Sequence, residues 1–453
     1  MAIERELIWP QPAWAHRPML ITAREQLSHA QVRERVELAS GVIAPGSRML
    51  IRAVPTIGCV VDILACWGKG ALAVVVDGRE RESTIASIAR EIGAGEVSVD
   101  GSSSCCAFDL DSLALALRTS GSTAAPKLAV HRLGGLIANA HAANARTPFS
   151  EDDCWLMSLS PHHIGGIGII ARALVSGGAI RLGRGPGACV ADLADDVMIT
   201  HVSMVATQLR RALDETGINP RMRSLEAIMV GGGPTPAAWR REAVGRGWPI
   251  SATYGLTECA SQVATGRASL DDAATHAGKP LDGLDVRLAE DGEIIVRGAT
   301  VFAGYWTPRG VERQAASSFS TGDLGHFDER GALHVVGRKD AMFISGGENI
   351  HPEEIENVLC EVPGVSSACV IGIDDDRWQK RPIAFIAGAF DAAVLEGTLA
   401  AKLPRFKWPD HVYEMSQDEA SNAKPSRAQL AKAARGDPLW TRRGDISSAE
   451  RET

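Results

Sequence analysis

Short apolar runs, each closed by a Gly or Pro and separated by stretches with helical spacing, constrain this chain more than any other feature. Met49-Leu50-Ile51-Arg52-Ala53-Val54 stops at Pro55, Ala71-Leu72-Ala73-Val74-Val75-Val76 stops before Gly78, and Ala227-Ile228-Met229-Val230 stops at Gly231. A strand wetted on one side alternates apolar and polar residues; runs this continuous suit strands covered on both faces, the condition of a largely parallel sheet. An α/β fold is therefore expected. With 453 residues, the chain is long enough for two or three domains at roughly 150 residues each.

The texture then changes twice. Between about 281 and 337, short alternating segments and tight turns (Val286-Arg287-Leu288, Glu293-Ile294-Ile295-Val296, Leu333-His334-Val335-Val336) read as antiparallel hairpins. From about 341, helices and strands mix. Pro352 opens one helix, Glu353 and Glu354 complement its positive dipole end, and Ile355, Val358 and Leu359 share a face. The stretch from Gly436 to Thr453 is polar and charged and is expected to fray.

Charge excludes some partners. The balance is 47 Lys+Arg against 55 Asp+Glu, a net −8, with no basic concentration, so nucleic acid is not expected. Asp62, Lys69 and Arg172 break the longer apolar runs before about 18 residues, so no membrane insertion is expected. Met1 to Pro10 carries Glu4, Arg5 and Glu6 and no apolar signal core, which points to the cytoplasm. The nine Cys include no C-x-x-C pair and read as reduced, core-filling thiols.

Four clusters carry chemistry. Thr119-Ser120-Gly121-Ser122-Thr123-Ala124-Ala125-Pro126-Lys127 gathers hydroxyls, a Gly and a cation able to wrap a polyphosphate, although the Walker spacing fails; a solvated loop is the plainer reading. Gly231-Gly232-Gly233-Pro234 lets a flat ring lie on backbone, and in Thr253-Tyr254-Gly255-Leu256-Thr257-Glu258 a Tyr can stack on it while Glu258 can hold Mg²⁺. The alternative is a strand-ending turn and a loop Glu. Asp323 and Arg338, at strand ends, can share a ribose diol or form a surface ion pair. Lys424, in Ser421-Asn422-Ala423-Lys424-Pro425-Ser426-Arg427, reads alone as a solvated Lys.

Taken together, these strings resemble the adenylate-forming superfamily of acyl-CoA and aryl-CoA synthetases, luciferases and peptide-synthetase adenylation domains. Ala124 and Ala423 stand where the family usually has Gly. The resemblance implies a large N-terminal domain over 1–339, of doubly wound mainly parallel sheets with a small β-barrel-like subdomain. A small mobile α+β domain over 340–435 would follow, joined at the hinge Asp340, and then a frayed tail over 436–453. ATP would bind through Thr119, Ser120, Gly121, Ser122, Thr123, Lys127, Gly231, Gly232, Gly233, Pro234, Thr253, Tyr254, Gly255, Asp323 and Arg338. Lys424, Glu258 and Thr257 would be catalytic, with Mg²⁺ at Glu258 and Thr123.

By the same resemblance, coenzyme A would enter past Ser345, Gly346, Gly347 and Trp378, although a loop Trp is otherwise often a core plug. The acid would meet His163, Gly168 and Arg172. An Arg within an apolar helical pattern is expensive unless an anion meets it or its head escapes to solvent. The string Gly166-Ile167-Gly168-Ile169-Ile170-Ala171-Arg172 resembles o-succinylbenzoate:CoA ligases of menaquinone synthesis, where the Arg meets the second carboxylate. The expected activity is thus an ATP-dependent acid:CoA ligase acting through acyl-AMP, with o-succinylbenzoate as acid. Another aryl-CoA or acyl-CoA ligase, or a stand-alone adenylating enzyme loading a carrier protein, stays open. So does the assembly state, with which a homodimer is compatible.

Overall fold

The computed structural model describes residues 6–94, 107–119, 127–313, 318–416, 427, 430–431 and 438–442. The expected runs are strands of two sheets. In the six-stranded sheet, Arg48–Ala53, Leu72–Asp77 and Leu113–Thr119 run parallel, and Lys127–Arg132 then pairs antiparallel with Leu113–Thr119. In the nine-stranded sheet, Pro18–Ile21, Ala179–Arg181, Cys154–Leu156, His201–Met204, Ala227–Val230 and Ile250–Leu256 form one parallel block. Antiparallel strands flank that block.

Helices fill the space between these sheets. Ile57–Gly68 is apolar nearly all round because it is covered all round: Ile63, Leu64, Ala65 and Trp67 have essentially no exposure. Thr56 caps it by accepting from the Cys59 backbone N–H. The same core takes in Met19 and Leu20 from one sheet, Ile51 and Val75 from the other, and Ile167, Ile170 and Leu174 from helix Ile164–Ser176. Each fully buried side chain of this kind contributes about 1.5–3 kcal/mol. The seven described cysteines are all buried and free, and burial raises the thiol values of Cys66, Cys154 and Cys189 to about 12.

Three of the expected hairpin segments form an antiparallel four-stranded sheet in the order Asp285–Leu288, Glu293–Arg297, Ser318–Phe327, Leu333–Arg338. A fourth hairpin in the same region behaves differently. Gly304–Thr307 and Gly310–Arg313 leave that sheet and extend the six-stranded one, Gly304–Thr307 pairing with Lys127–Arg132. That crossing brings Tyr305 beside Ala129.

The residues after Asp340 build a further sheet, in the order Glu348–Ile350, Phe343–Ser345, Gln379–Gly388, His411–Glu414, Trp440–Thr441, with Val365–Asp375 also on Gln379–Gly388. Helices Pro352–Leu359 and Ala392–Lys402 accompany it. The fraying expected from 436 onward is wrong for 438–442. Trp440–Thr441 pairs with His411–Glu414, and the Trp440 indole is buried in a shared apolar core. A single large apolar side chain outweighed the polar composition around it. No helix of the described residues is long and apolar enough to cross a membrane.

Candidate active site

The neighbouring parallel strands Ala227–Val230 and Ile250–Leu256 end side by side, one at Gly231 and the other at Thr257, on the carboxyl edge where open α/β sheets bind ligands. Two glycines let backbone close up there. A Cβ on Gly231 would lie 2.5 Å from the Thr253 methyl, and one on Gly255 would overlap the Ser261 carbonyl. Gly232 takes φ +80°, and Gly232, Gly233 and Pro234 are exposed.

Acidic and phenolic groups pair on one wall. Tyr254 donates its hydroxyl to Asp323 Oδ2 at 2.6 Å, and Arg338 Nη1 donates to Asp323 Oδ1 at 3.3 Å and to the Thr321 carbonyl at 2.9 Å. Asp323 and Arg338 face each other across the antiparallel ladder, so the sheet itself sets their approach. Arg338 also donates to both oxygens of Asp340. Burial, and then the charge and hydrogen bond of Asp323, push the Tyr254 phenol well above its ordinary value, so it stays a donor. Burial pulls the Arg338 value down, but its bonds to Asp340 and the charge of Asp323 outweigh that and raise it.

A second phenol–carboxylate pair stands on Glu258, in the short 3-10 turn Thr257–Cys259. Tyr305 donates to Glu258 Oε1 at 2.7 Å, and the Lys127 ammonium lies 4.9 Å from the centre of the Tyr305 ring. Among the described residues, Glu258 Oε2 takes no hydrogen bond. A carboxylate oxygen beside hydroxyl-bearing residues suits a hard cation such as Mg²⁺. Sequence reasoning missed Tyr305. Its signal was scarcity: the chain has three tyrosines, and two of them hold these two carboxylates.

Arg172 lies inside the protein, on helix Ile164–Ser176, with 4% exposure, so its head does not reach solvent. Neutral groups surround it. Nε donates to Asn144 Oδ1 at 2.6 Å, Nη2 to the Thr147 carbonyl at 3.0 Å, and Nη1 faces Met229 Sδ at 3.2 Å and Gln262 Oε1 at 3.5 Å. The guanidinium covers the Trp155 ring at 4.3 Å. Burial with no carboxylate beside it lowers its value to about 9. Gln262, in turn, donates to Thr253 and Thr265, linking Arg172 to the Tyr254 segment. Gly168 lies where a Cβ would be 3.5 Å from Ser261 Oγ, and His163 precedes the helix with its ring 4.0 Å from that of His162.

The remaining candidates fall elsewhere. Thr119 is half-buried and donates to the Lys127 carbonyl at 3.4 Å. Ser345 points inward, accepting from the buried Arg381 at 3.0 Å, whereas Trp378 is 43% exposed and packs where a Gly346 Cβ would sit. Gly346 and Gly347 both have positive φ. Ser120, Gly121, Ser122, Thr123 and Lys424 lie outside the described residues.

Comparison with known proteins gives the class. Residues 96–306 match the model of the AMP-binding enzyme family, and residues 354–423 that of the AMP-binding enzyme C-terminal domain. The chain belongs to this family of adenylate-forming enzymes. Its relatives include 2-succinylbenzoate–CoA ligases. That of Geobacillus kaustophilus is 34% identical over 362 residues, 76% of this chain and 72% of the relative; that of Bacillus cereus is 34% identical over 319 residues, 67% and 66%. The alignment thus spans about 66% of the Bacillus cereus protein, just under two thirds. Among solved structures, the o-succinylbenzoate CoA synthetase of Bacillus subtilis with its acyl-adenylate intermediate superposes with TM-score 0.80 at 25% identity, covering 93% of this chain and 98% of that one. The same enzyme with ATP and magnesium ion gives TM-score 0.79 at 26% identity, covering 92% and 97%.

Proposed function

We propose that this chain is an ATP-dependent acid:CoA ligase that joins an acid to AMP and then passes the acyl group to coenzyme A, with o-succinylbenzoate as the acid. The observation carrying this reading is the convergence of two phenol–carboxylate pairs, Tyr254–Asp323 and Tyr305–Glu258, with Arg338 and Lys127. The relatives' names support it, as does the acyl-adenylate bound by the Bacillus subtilis enzyme.

The chemistry assigns the parts. A carboxylate is a poor acyl donor and repels the triphosphate it attacks, so the site must hold two anions in line and offset their charge. Asp323 accepts from the ribose hydroxyls while Arg338 donates to them, and the adenine lies on Gly231 to Pro234 beside Tyr254. Thr119 to Thr123 and Lys127 hold the phosphates, and Lys424 approaches the acid and the α-phosphate. Mg²⁺, held by Glu258 and Thr123, supplies charge to the departing pyrophosphate. Thr257 fixes the turn. Arg172 and Gln262 give the acid pocket a buried positive end that suits a second carboxylate, and His163 and Gly168 line its mouth.

For the second half-reaction, the part after Asp340 turns about that residue and brings Ser345 to Gly347 and Trp378 to the adenylate, where the coenzyme A thiol displaces AMP. The domains are 1–339 and 340–442, the second extended past 435 by the strand Trp440–Thr441, and the enzyme works in the cytoplasm. Pyrophosphate release with ATP, tested with o-succinylbenzoate, a benzoate and a fatty acid, checks the reading. Release with o-succinylbenzoate and discharge by free coenzyme A are expected; indifference to o-succinylbenzoate rejects the acid, and indifference to free coenzyme A points to a carrier thiol.

A further inference from the structure

The turn that bears Glu258 is held in an unusual way. Immediately after it, Ala260 and Ser261 adopt φ 57° and 107°, left-handed values that side chains rarely accept. Such a turn persists only where its surroundings over-determine it. Two carbonyls in succession are engaged from different segments. The Phe302 N–H donates to the Glu258 carbonyl at 2.8 Å, and Asn139 Nδ2 donates to the Cys259 carbonyl at 3.4 Å, while the Ala260 N–H closes the turn on the Thr257 carbonyl at 3.2 Å.

Asn139 does more than cap one carbonyl. Its Nδ2 also donates to the Gln262 carbonyl at 2.7 Å, and its Oδ1 accepts from the Gln262 N–H at 3.4 Å. One buried amide, 3% exposed on helix Leu133–Arg146, thereby grips the chain on both sides of the strained pair. Asn144, on the same helix, is the acceptor for Arg172 Nε.

We infer that Asn139 is a positioning residue for adenylation: by gripping Cys259 and Gln262 it fixes the left-handed Ala260-Ser261 turn, and so aims Glu258 at the cation and the phosphates. The inference rests on the ligase reading above. It concerns the first half-reaction only, because the pyrophosphate and its cation leave before the thiol attacks.

The test compares the two half-reactions in Asn139→Ala. Pyrophosphate release from acid and ATP should fall about 10- to 100-fold, as expected when a group supporting a metal ligand is removed, and the Mg²⁺ concentration for half-maximal rate should rise several-fold. Thioester formation from supplied acyl-adenylate and coenzyme A should stay within about three-fold of wild type, which also reports that the variant is folded. If Asn139→Ala does not fold, Asn139→Leu, which keeps the volume but removes the amide that grips Cys259 and Gln262, must give the same split. Equal loss in both half-reactions, or no loss in adenylation, overturns the inference. Wild type that releases no pyrophosphate with any acid removes the ligase reading instead, and the inference with it.

Discussion

Tyr254 and Asp323, 69 residues apart in sequence, meet through a 2.6 Å hydrogen bond in which the phenol is the donor. Asp323 belongs to the antiparallel sheet and Tyr254 to the last strand of the parallel block, so this bond joins two separately built layers. A hydrogen bond to a charged acceptor contributes about 1.5–3 kcal/mol. Tyr254→Phe should therefore lower kcat/KM for ATP about ten-fold and reduce Tm by a few degrees, as steady-state kinetics and calorimetry would read. Unchanged ATP kinetics would show that Asp323 is held well enough by Arg338 alone.

Glu258→Gln keeps the shape of the side chain and removes its charge. Adenylation should fall about 10²- to 10³-fold. Tyr305→Phe, which leaves the carboxylate but frees Oε1, should cost about ten-fold. Pyrophosphate release at saturating ATP measures both. A larger loss in Tyr305→Phe than in Glu258→Gln would make the phenol, and not the carboxylate, the group that acts on the phosphates.

Arg172→Ala should separate acids by charge. With o-succinylbenzoate, kcat/KM should fall about 100-fold, within the range expected for a charged hydrogen bond; with a monocarboxylic aryl acid it should change little. The same variant leaves Asn144 Oδ1 and the Thr147 carbonyl without their donor, so Tm should drop with or without substrate. Equal kinetic losses for both acids would remove Arg172 from acid selection.

Gly346 sits at φ +61° with the Trp378 ring where a Cβ would go. In Gly346→Ala the ring must move. Thioester formation from supplied acyl-adenylate should slow about ten-fold, while pyrophosphate release with ATP should be unaffected. Loss of both would mean that the loop supports the whole fold rather than the thiol path.

Two buried imidazoles predict an acid limit. Burial lowers His29 to about 4 despite its bond to the Gly177 carbonyl, and His131 to about 4 despite the opposing effect of the Thr257 backbone. Both values lie below the ordinary 6.5, so the unfolded chain binds more protons between those pH values. Their stabilisation is complete above about 6.5 and is lost as pH falls toward about 4, on the order of 3 kcal/mol for each. Urea midpoints measured from about pH 7.5 to about pH 4.5 should fall monotonically; a flat profile would contradict the burial of both rings.

Much of this architecture was legible because local pattern and burial agreed. Continuous runs such as Leu72 to Val76 became strands covered on both faces, and the Asp323, Arg338 and Tyr254 strings came together as one hydrogen-bonded wall. What stayed hidden depends on contacts between distant segments. Nothing near Tyr305 marks it as a partner of Glu258, because the hairpin that carries it crosses to another sheet. The neutral shell around Arg172 is equally unreadable: Asn144, Thr147, Met229 and Gln262 come from separate segments, and only the folded chain shows that they satisfy it without a carboxylate. Trp440 escaped notice because composition averages over a polar tail that contains a single anchor.

The scarcity of tyrosine also makes the molecule report on itself. Replacing all three with 3-fluorotyrosine should give a ¹⁹F spectrum of only three resonances, two from the rings that hold Asp323 and Glu258 and one from Tyr413, which stacks on Phe385 in the sheet beyond Asp340. Each lobe thus carries its own spectroscopic beacon, and successive additions of nucleotide, acid and thiol can be followed without adding a foreign label.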